Sequence, residues 1–220
     1  CLADLIQAQR AQGLAAHALV HGQPLPQDPD WLRRVPVQMQ LVYAPIALGY
    51  PRALARAIAD FRPDVLHLHM PNNSVFWALL LPAARRLPWV VHWHSDVLVS
   101  ERHTLLSLAY LAYRPFEQAV LARASRIAAT SPPYLEASEP LSAWADKCAV
   151  VPLGLAPPLP LEAPALPPPW PTQGLRVLGI GRLAHYKGFD TLIDAVAQSP
   201  ETELLIAGDG ELRQPLQAQV

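Results

Sequence analysis

Apolar positions along the chain recur with two periods, and the switches between them predict short strands alternating with helices. Residues 1–12 carry helical spacing closed by Gly13 as a C-cap, and residues 14–20 read as a strand ending at His21-Gly22. After a proline-rich loop over 23–30, a strand is expected at 41–43 and a helix over 51–61 with Pro51 in its first turn. Residues 63–69 (Pro-Asp-Val-Leu-His-Leu-His) form a strand whose alternation puts His67 and His69 on one face. A mostly helical stretch over 72–86 follows, with Asn72 or Asn73 as N-cap and Pro82 as a kink or stop. It leads to a strand over 89–94 that runs into His92-Trp93-His94-Ser95-Asp96. Strand, helix and strand in that order imply parallel neighbours, so both His-x-His ends should face one crevice. The pattern continues as a helix over 101–124 interrupted at Pro115, a strand over 127–130, a helix over 132–147 and a strand over 149–151.

Residues 156–171 then hold eight prolines, a density that neither a helix nor a central strand tolerates, so this stretch reads as a stiff extended connector. Beyond it, residues 175–180 and 204–207 read as buried strands on either side of an amphipathic helix over 188–198. The expected architecture is therefore α/β, with parallel sheets on both sides of the connector. Both ends of the chain fall within helical periodicity, which predicts a piece of a longer protein.

Composition narrows this picture. The chain has 220 residues, 51% of them hydrophobic, enough for a buried core. Lys plus Arg (17) nearly balance Asp plus Glu (18), and neither side of Pro152 is basic enough to make nucleic acid the main partner. Cys1 and Cys148 form neither a disulfide framework nor a metal spacing, and a reduced compartment is the simplest reading. No apolar run reaches the length of a membrane span. The stripe Leu105, Leu106, Leu108, Tyr110, Leu111, Tyr113 and Phe116 reads as core, with contact to a membrane-borne acceptor as the alternative.

Two places carry candidate chemistry. Gly179-Ile180-Gly181-Arg182 with Lys187-Gly188 is a glycine turn after a strand, and Gly208-Asp209-Gly210 closes the next strand. Such turns let backbone N–H groups approach a phosphate, and an arginine fork plus a lysine point charge suits a diphosphate. It is not a Walker loop, and an ordinary turn with solvated cations remains open. The second place is the pair of His-x-His strand ends, since a doubly wound fold puts ligand groups at strand ends. His94 is the leading residue there. His67 and His92 read as core residues hydrogen-bonded to backbone, while zinc or iron held by the histidines and Asp96, as in a metal-dependent hydrolase, is the rival. Asp28-Pro29-Asp30 reads as a proline turn rather than a metal motif.

These motifs together resemble a known family. Gly181-Arg182-Leu183 with Lys187-Gly188, the following Phe-Asp-Thr-Leu-Ile-Asp-Ala and Leu-Ile-Ala-Gly-Asp-Gly-Glu-Leu are similar to the donor half of retaining glycosyltransferases of family 4, which have the GT-B fold. Residues 64–72, 89–96, 129–131 and 151–154 resemble successive strand ends of the other half, with Leu153 standing where asparagine is frequent. The nearest likeness within the family is to bacterial surface-polysaccharide enzymes, mannosyltransferases among them. The resemblance implies an acceptor-side Rossmann-like domain over 1–155 lacking its first strand, a connector over 156–173 and a partial nucleotide-sugar domain over 174–220. It further implies His94 as the catalytic residue and Gly181, Arg182, Lys187, Gly208 and Gly210 as the diphosphate site, with His69, Ser95, Asp96 and Ser131 contacting the acceptor or holding the loops. No metal and no cofactor are implied. The partners implied are a nucleotide-sugar donor and a glycan or lipid-linked acceptor, in the cytoplasm or at the inner face of its membrane with peripheral membrane contact. A glutamate pair usual in the family would lie beyond residue 220, and a non-catalytic nucleotide-binding module is the alternative without it. Pro215 in the last helix is unusual for the family.

Overall fold

A computed structural model describes residues 2–41, 44–97, 104–154, 170 and 174–220, with side chains left aside at 104–106. The end of the strand expected at 41–43, most of the proline connector, and Leu105 and Leu106 of the apolar stripe lie outside the described residues. The chain divides into two compact units, Cys1–Pro157 and Pro158–Val220.

The first unit opens with α1 (Leu2–Ala11), after which Gly13 takes a φ of 84° to turn the chain out of the helix. Strand β1 (Ala18–His21) pairs in parallel with β2 (Leu32–Val35), a strand the hydrophobic pattern does not reveal because two of its four residues are arginines. One arginine explains the loop between them. Asp28 accepts the backbone N–H of Leu25 at 2.8 Å and both of its oxygens accept Arg34 Nε, so the Asp-Pro-Asp turn is a structural clasp. A hairpin follows, β3 (Met39–Leu41) against β4 (Ala44–Ile46), where one strand was expected. Helix α2 (Tyr50–Phe61) buries Tyr50, Leu54 and Ile58, a stripe at four-residue spacing, and stops where Arg62 adopts a left-handed φ of 48°.

The body of this unit is a four-stranded parallel sheet in the order β5 (Leu66–Met70), β6 (Trp89–Trp93), β7 (Arg126–Ala129), β8 (Cys148–Val150). Between β5 and β6 the chain forms a 3-10 turn at Asn73–Phe76 capped by the Asn72 side chain, then α3 (Trp77–Leu80) and α4 (Pro82–Arg85). Pro82 starts α4 at its N1 position rather than kinking one long helix. Helix α5 (Thr104–Arg123) runs straight through Pro115, contrary to the expected break. Pro115 and Leu111, whose carbonyl loses its helical partner, are both exposed, so the lost bond falls on the solvent side of the helix. The expected helix over 132–147 is two pieces, α6 (Pro132–Ala137) and a 3-10 segment at Ser142–Lys147.

Register explains why the sheet is two-sided. Leu66, Leu68 and Met70 stand opposite Trp89, Val91 and Trp93, and this face carries the core together with Ile127 and Ala129. Residues of the other parity, His67 and His69 beside Val90 and His92, stand on the other face. The apolar stripe of α5 departs from its reading as core, since Leu108, Leu111 and Phe116 are exposed. Among the described residues of that stripe, only Tyr113 packs against the core cluster, with Phe76 4.8 Å from its ring.

The second unit pairs β9 (Leu175–Ile180) in parallel with β10 (Thr202–Ala207), joined by α7 (Phe189–Ala197) and followed by α8 (Arg213–Gln219), which contains Pro215. Leu183, Phe189, Ile193 and Leu216 form its core against Leu204 and Ile206. Neither strand is fully buried as expected. Leu178, Ile180 and Leu205 lie on an exposed face, because α7 covers only one side of the pair. Among the described residues no helix is long and apolar enough to cross a membrane.

Candidate functional site

Three strands of the first unit carry a histidine at or next to their ends, and these ends meet. His21 closes β1, His69 is the penultimate residue of β5, and His94 follows β6 with its backbone N–H donating to Met70 O at 2.9 Å. With Pro45, Met70, Pro71 and Asn72 they line a cavity of about 310 Å³. This is the place where an open parallel sheet accommodates a ligand, because the strand ends present side chains and the following loops diverge. The sequence singled out His69 and His94 but not His21. Its signal was present: His21, like the other two, sits at a strand end. His21 Nε2 pairs with Ser74 Oγ at 2.8 Å, and Asn73 ties the cavity wall to Pro45 O at 2.9 Å.

His69 and His94 touch directly, Nδ1 to Nε2 at 2.8 Å, with ring planes 12° apart. Behind them the other two imidazoles continue a stack: His92 lies 4.3 Å from His94, and His67 lies 4.6 Å from His69 and 5.5 Å from His92. Burial, reinforced by the like charge of neighbouring imidazoles, pushes His69 down to about 3 and His92 to about 4. Burial also lowers His67, His94 and His21. The rings are therefore neutral near pH 7, each with one nitrogen that donates and one that accepts. The expectation that His67 and His92 are core histidines hydrogen-bonded to backbone fails: His67 is exposed, and His92 is unsatisfied. His92 is buried, yet neither ring nitrogen has a hydrogen-bond partner among the described residues.

The loop after His94 is held by Asp96. One of its oxygens accepts from Trp93 Nε1 (2.8 Å), Tyr134 Oη (2.6 Å) and Ser138 Oγ (2.8 Å), fastening the end of β6 to α6. Ser131 caps α6 by accepting the Tyr134 N–H, and Ser95 is exposed. Sequence reasoning passed over Glu117, a fully buried carboxyl on α5 that accepts from Tyr110 Oη at 3.1 Å. Burial pushes it up to about 7, opposed by the Tyr110 bond and aided by the charge of Asp96. Its place inside an apolar helical repeat resembles a surface position in sequence, which is why the pattern hides it.

In the second unit the glycines serve packing more than ligand contact. A Cβ on Gly208 would lie 1.9 Å from the Gly181 carbonyl oxygen, and one on Gly210 would lie 2.4 Å from that of Leu183. The two turns thus lie backbone against backbone, with Gly181 N–H donating to Ala207 O and Gly210 N–H to the Asp209 carboxylate. Both N–H groups are thus hydrogen-bonded within the protein. The cations differ. Arg182 is exposed and pairs with Glu211 at 3.2 Å, and Lys187 is exposed with its Nζ 5.2 Å over the Tyr186 ring. Gly188 takes a φ of 66° at the start of α7, a turn that lets Lys187 stand beside the helix N-terminus.

Comparison with known proteins identifies the family. The chain is 28% identical over 98% of its length to a D-rhamnosyltransferase of Pseudomonas aeruginosa, covering 56% of that protein. It is 32% identical over 71% of its length to O-antigen chain mannosyltransferase C of Escherichia coli, covering 40% of it. It is 28% identical over 94% of its length to a phosphatidyl-myo-inositol mannosyltransferase of Mycolicibacterium smegmatis, covering 54%. The chain therefore spans about half the length of these curated relatives. The model of the glycosyl transferase 4-like domain matches residues 1–154, and with its parallel, Rossmann-like α/β sheets the chain belongs to the family 4 glycosyltransferases of the GT-B fold.

Proposed function

We propose that the protein transfers a hexose, with retention, from a nucleoside-diphosphate sugar to a hydroxyl of a glycan or lipid-linked acceptor during polysaccharide biosynthesis. The observation that carries this reading is that relatives aligned along most of the chain are each named for moving a sugar, rhamnose or mannose. Work on the cytoplasmic side, where nucleotide sugars are made, follows from the same reading.

The chemistry needs the leaving diphosphate stabilised and the sugar oriented. Arg182 and Lys187 are exposed cations beside a glycine turn, suited to the developing negative charge without a metal. Arg182 would exchange Glu211 for the diphosphate, a stronger bidentate acceptor. His94 reaches the 310 Å³ cavity and would hydrogen-bond the sugar, while His69 fixes its ring. Asp96 and Ser131 hold the loops on which this geometry rests, and Ser95 stands exposed next to His94, open to an acceptor.

Incubation of the full-length protein with labelled nucleoside-diphosphate sugars and an oligosaccharide acceptor tests this. Transfer with unchanged anomeric configuration, insensitive to EDTA and reduced at least tenfold in His94→Ala, is the expected result. Loss of all transfer in EDTA, or normal turnover in His94→Ala, would overturn it.

A further inference from the structure

We propose that His67, His69 and His92 form a binding site for a divalent transition metal, zinc by its chemistry. Their ligand nitrogens all lie within 4.8 Å of one another. Three nitrogens around a tetrahedral zinc, each at about 2.0–2.1 Å, are roughly 3.4 Å apart. β5 and β6 already hold the three residues on one sheet face, with His69 opposite His92, so that turning the rings brings their nitrogens toward one point. On the other side of His92 the paired residue is Ala128, whose small side chain leaves the ring room to turn.

His92 supplies an independent reason. It is 6% exposed, and neither of its ring nitrogens has a partner among the described residues. A buried polar group in that condition is costly, and native proteins satisfy such groups with protein, water or a bound ion. An ion placed between His92 and its two stacked neighbours satisfies one of those nitrogens. The cluster is made of imidazoles alone. Such ligands suit zinc, copper or nickel and discriminate against magnesium and manganese, which take carboxylate and water oxygen.

The site has a built-in link to His94. Since His69 Nδ1 already contacts His94 Nε2 at 2.8 Å, Nε2 of His69 is the atom left for the ion. A metal-bound imidazole carries its proton on the other nitrogen and donates it to a neighbour. His94 Nε2 then accepts, and the proton of His94 resides on Nδ1. The metal so biases the tautomer of the residue assigned to the sugar, an effect on His94 and not a requirement for transfer. That consequence rests on the proposed transfer, whereas metal binding does not.

The test is calorimetric titration of the purified, EDTA-stripped protein with Zn²⁺, alongside Co²⁺ absorption spectra and a Mg²⁺ titration. One Zn²⁺ per chain, a tetrahedral Co²⁺ spectrum and no uptake of Mg²⁺ are expected. His67→Ala and His92→Asn should each weaken Zn²⁺ binding tenfold or more, with His17→Ala, a ring stacked on Phe61, unchanged. Melting curves establish that both variants fold, and His67→Ala serves if the buried His92→Asn does not. Imidazole ¹⁵N shifts should show His94 moving to the Nδ1–H form as Zn²⁺ is added. Absence of saturable Zn²⁺ uptake, or unchanged uptake in His67→Ala, would overturn the site. Zn²⁺ binding without sugar transfer by any form would leave the site standing and remove the proposed function. Transfer without Zn²⁺ binding would do the reverse.

Discussion

The two parallel strand pairs that carry the candidate chemistry, β5–β6 and β9–β10, solve the same problem by different means. In β5–β6 one face is packed with Trp89, Trp93 and Met70, all essentially inaccessible, and the other collects imidazoles whose charge is suppressed by burial. In β9–β10 one face packs on α7 while Leu178 and Ile180 remain exposed, and Arg182 and Lys187 stand in solvent. Register positions the first set of groups, and close backbone packing between glycine turns positions the second. Burial lowers the proton affinity of the imidazoles, whereas the two cations stand exposed to solvent.

That contrast is open to attack where each region is most constrained. Gly208→Ala should have the largest effect, since a methyl 1.9 Å from the Gly181 oxygen forces the two turns apart. A loss of about 3 kcal/mol or more is expected in chemical denaturation, with diphosphate binding lost as well. Asp96→Ala is the counterpart in the first unit. It strands Trp93 Nε1, Tyr134 Oη and Ser138 Oγ, and should cost about 3 kcal/mol while leaving diphosphate affinity unchanged.

Arg182→Ala and Lys187→Ala should each cost roughly 1.5–3 kcal/mol of diphosphate affinity, tenfold or more by calorimetry, and should slow transfer further. Their stability should hardly change, because both side chains are exposed. Asp28→Ala leaves that affinity intact but loosens β1–β2 by releasing Arg34, which is read as a lower melting temperature.

The smallest effect is a pH slope. Glu117 stays protonated in the fold up to about 7 but ionises near 4.5 when unfolded. Between those values the folded state binds the extra proton, so its stability contribution falls as pH rises and is gone above about 7. Melting temperature should therefore decline from about pH 4.5 to about 7 and level off above that. The charged groups around Glu117 are Asp96, Arg114 and Glu139, with the Tyr110 hydroxyl bonded to it. Glu117→Gln should flatten the slope by about 1 kcal/mol, and an unchanged slope would place the titration elsewhere.

Much of the scaffold was legible because local physics dictates it. The strand at Leu175–Ile180 follows from a bounded apolar run, α2 from its four-residue stripe, and the His-x-His ends from simple alternation. Strand β2 escaped because arginines fill half of it, and α5 because Pro115 breaks a helix only where its neighbours need the lost bond. The stripe on α5 was misread because periodicity reports that a face is apolar without reporting what covers it.

By itself the sequence determined residue type and period: which positions are apolar, where strands end, that histidines terminate two of them and that cations flank a glycine turn. Those properties are local, set by side-chain chemistry and backbone sterics over a few residues. Only the tertiary structure decided that His69 meets His94, that His92 is buried without a partner, that Asp96 gathers three donors and that Gly208 lies against Gly181. Each of these depends on strand register or on the approach of chain segments 25 to 42 residues apart. Such approaches are fixed by the packing of the whole core, which no local pattern encodes.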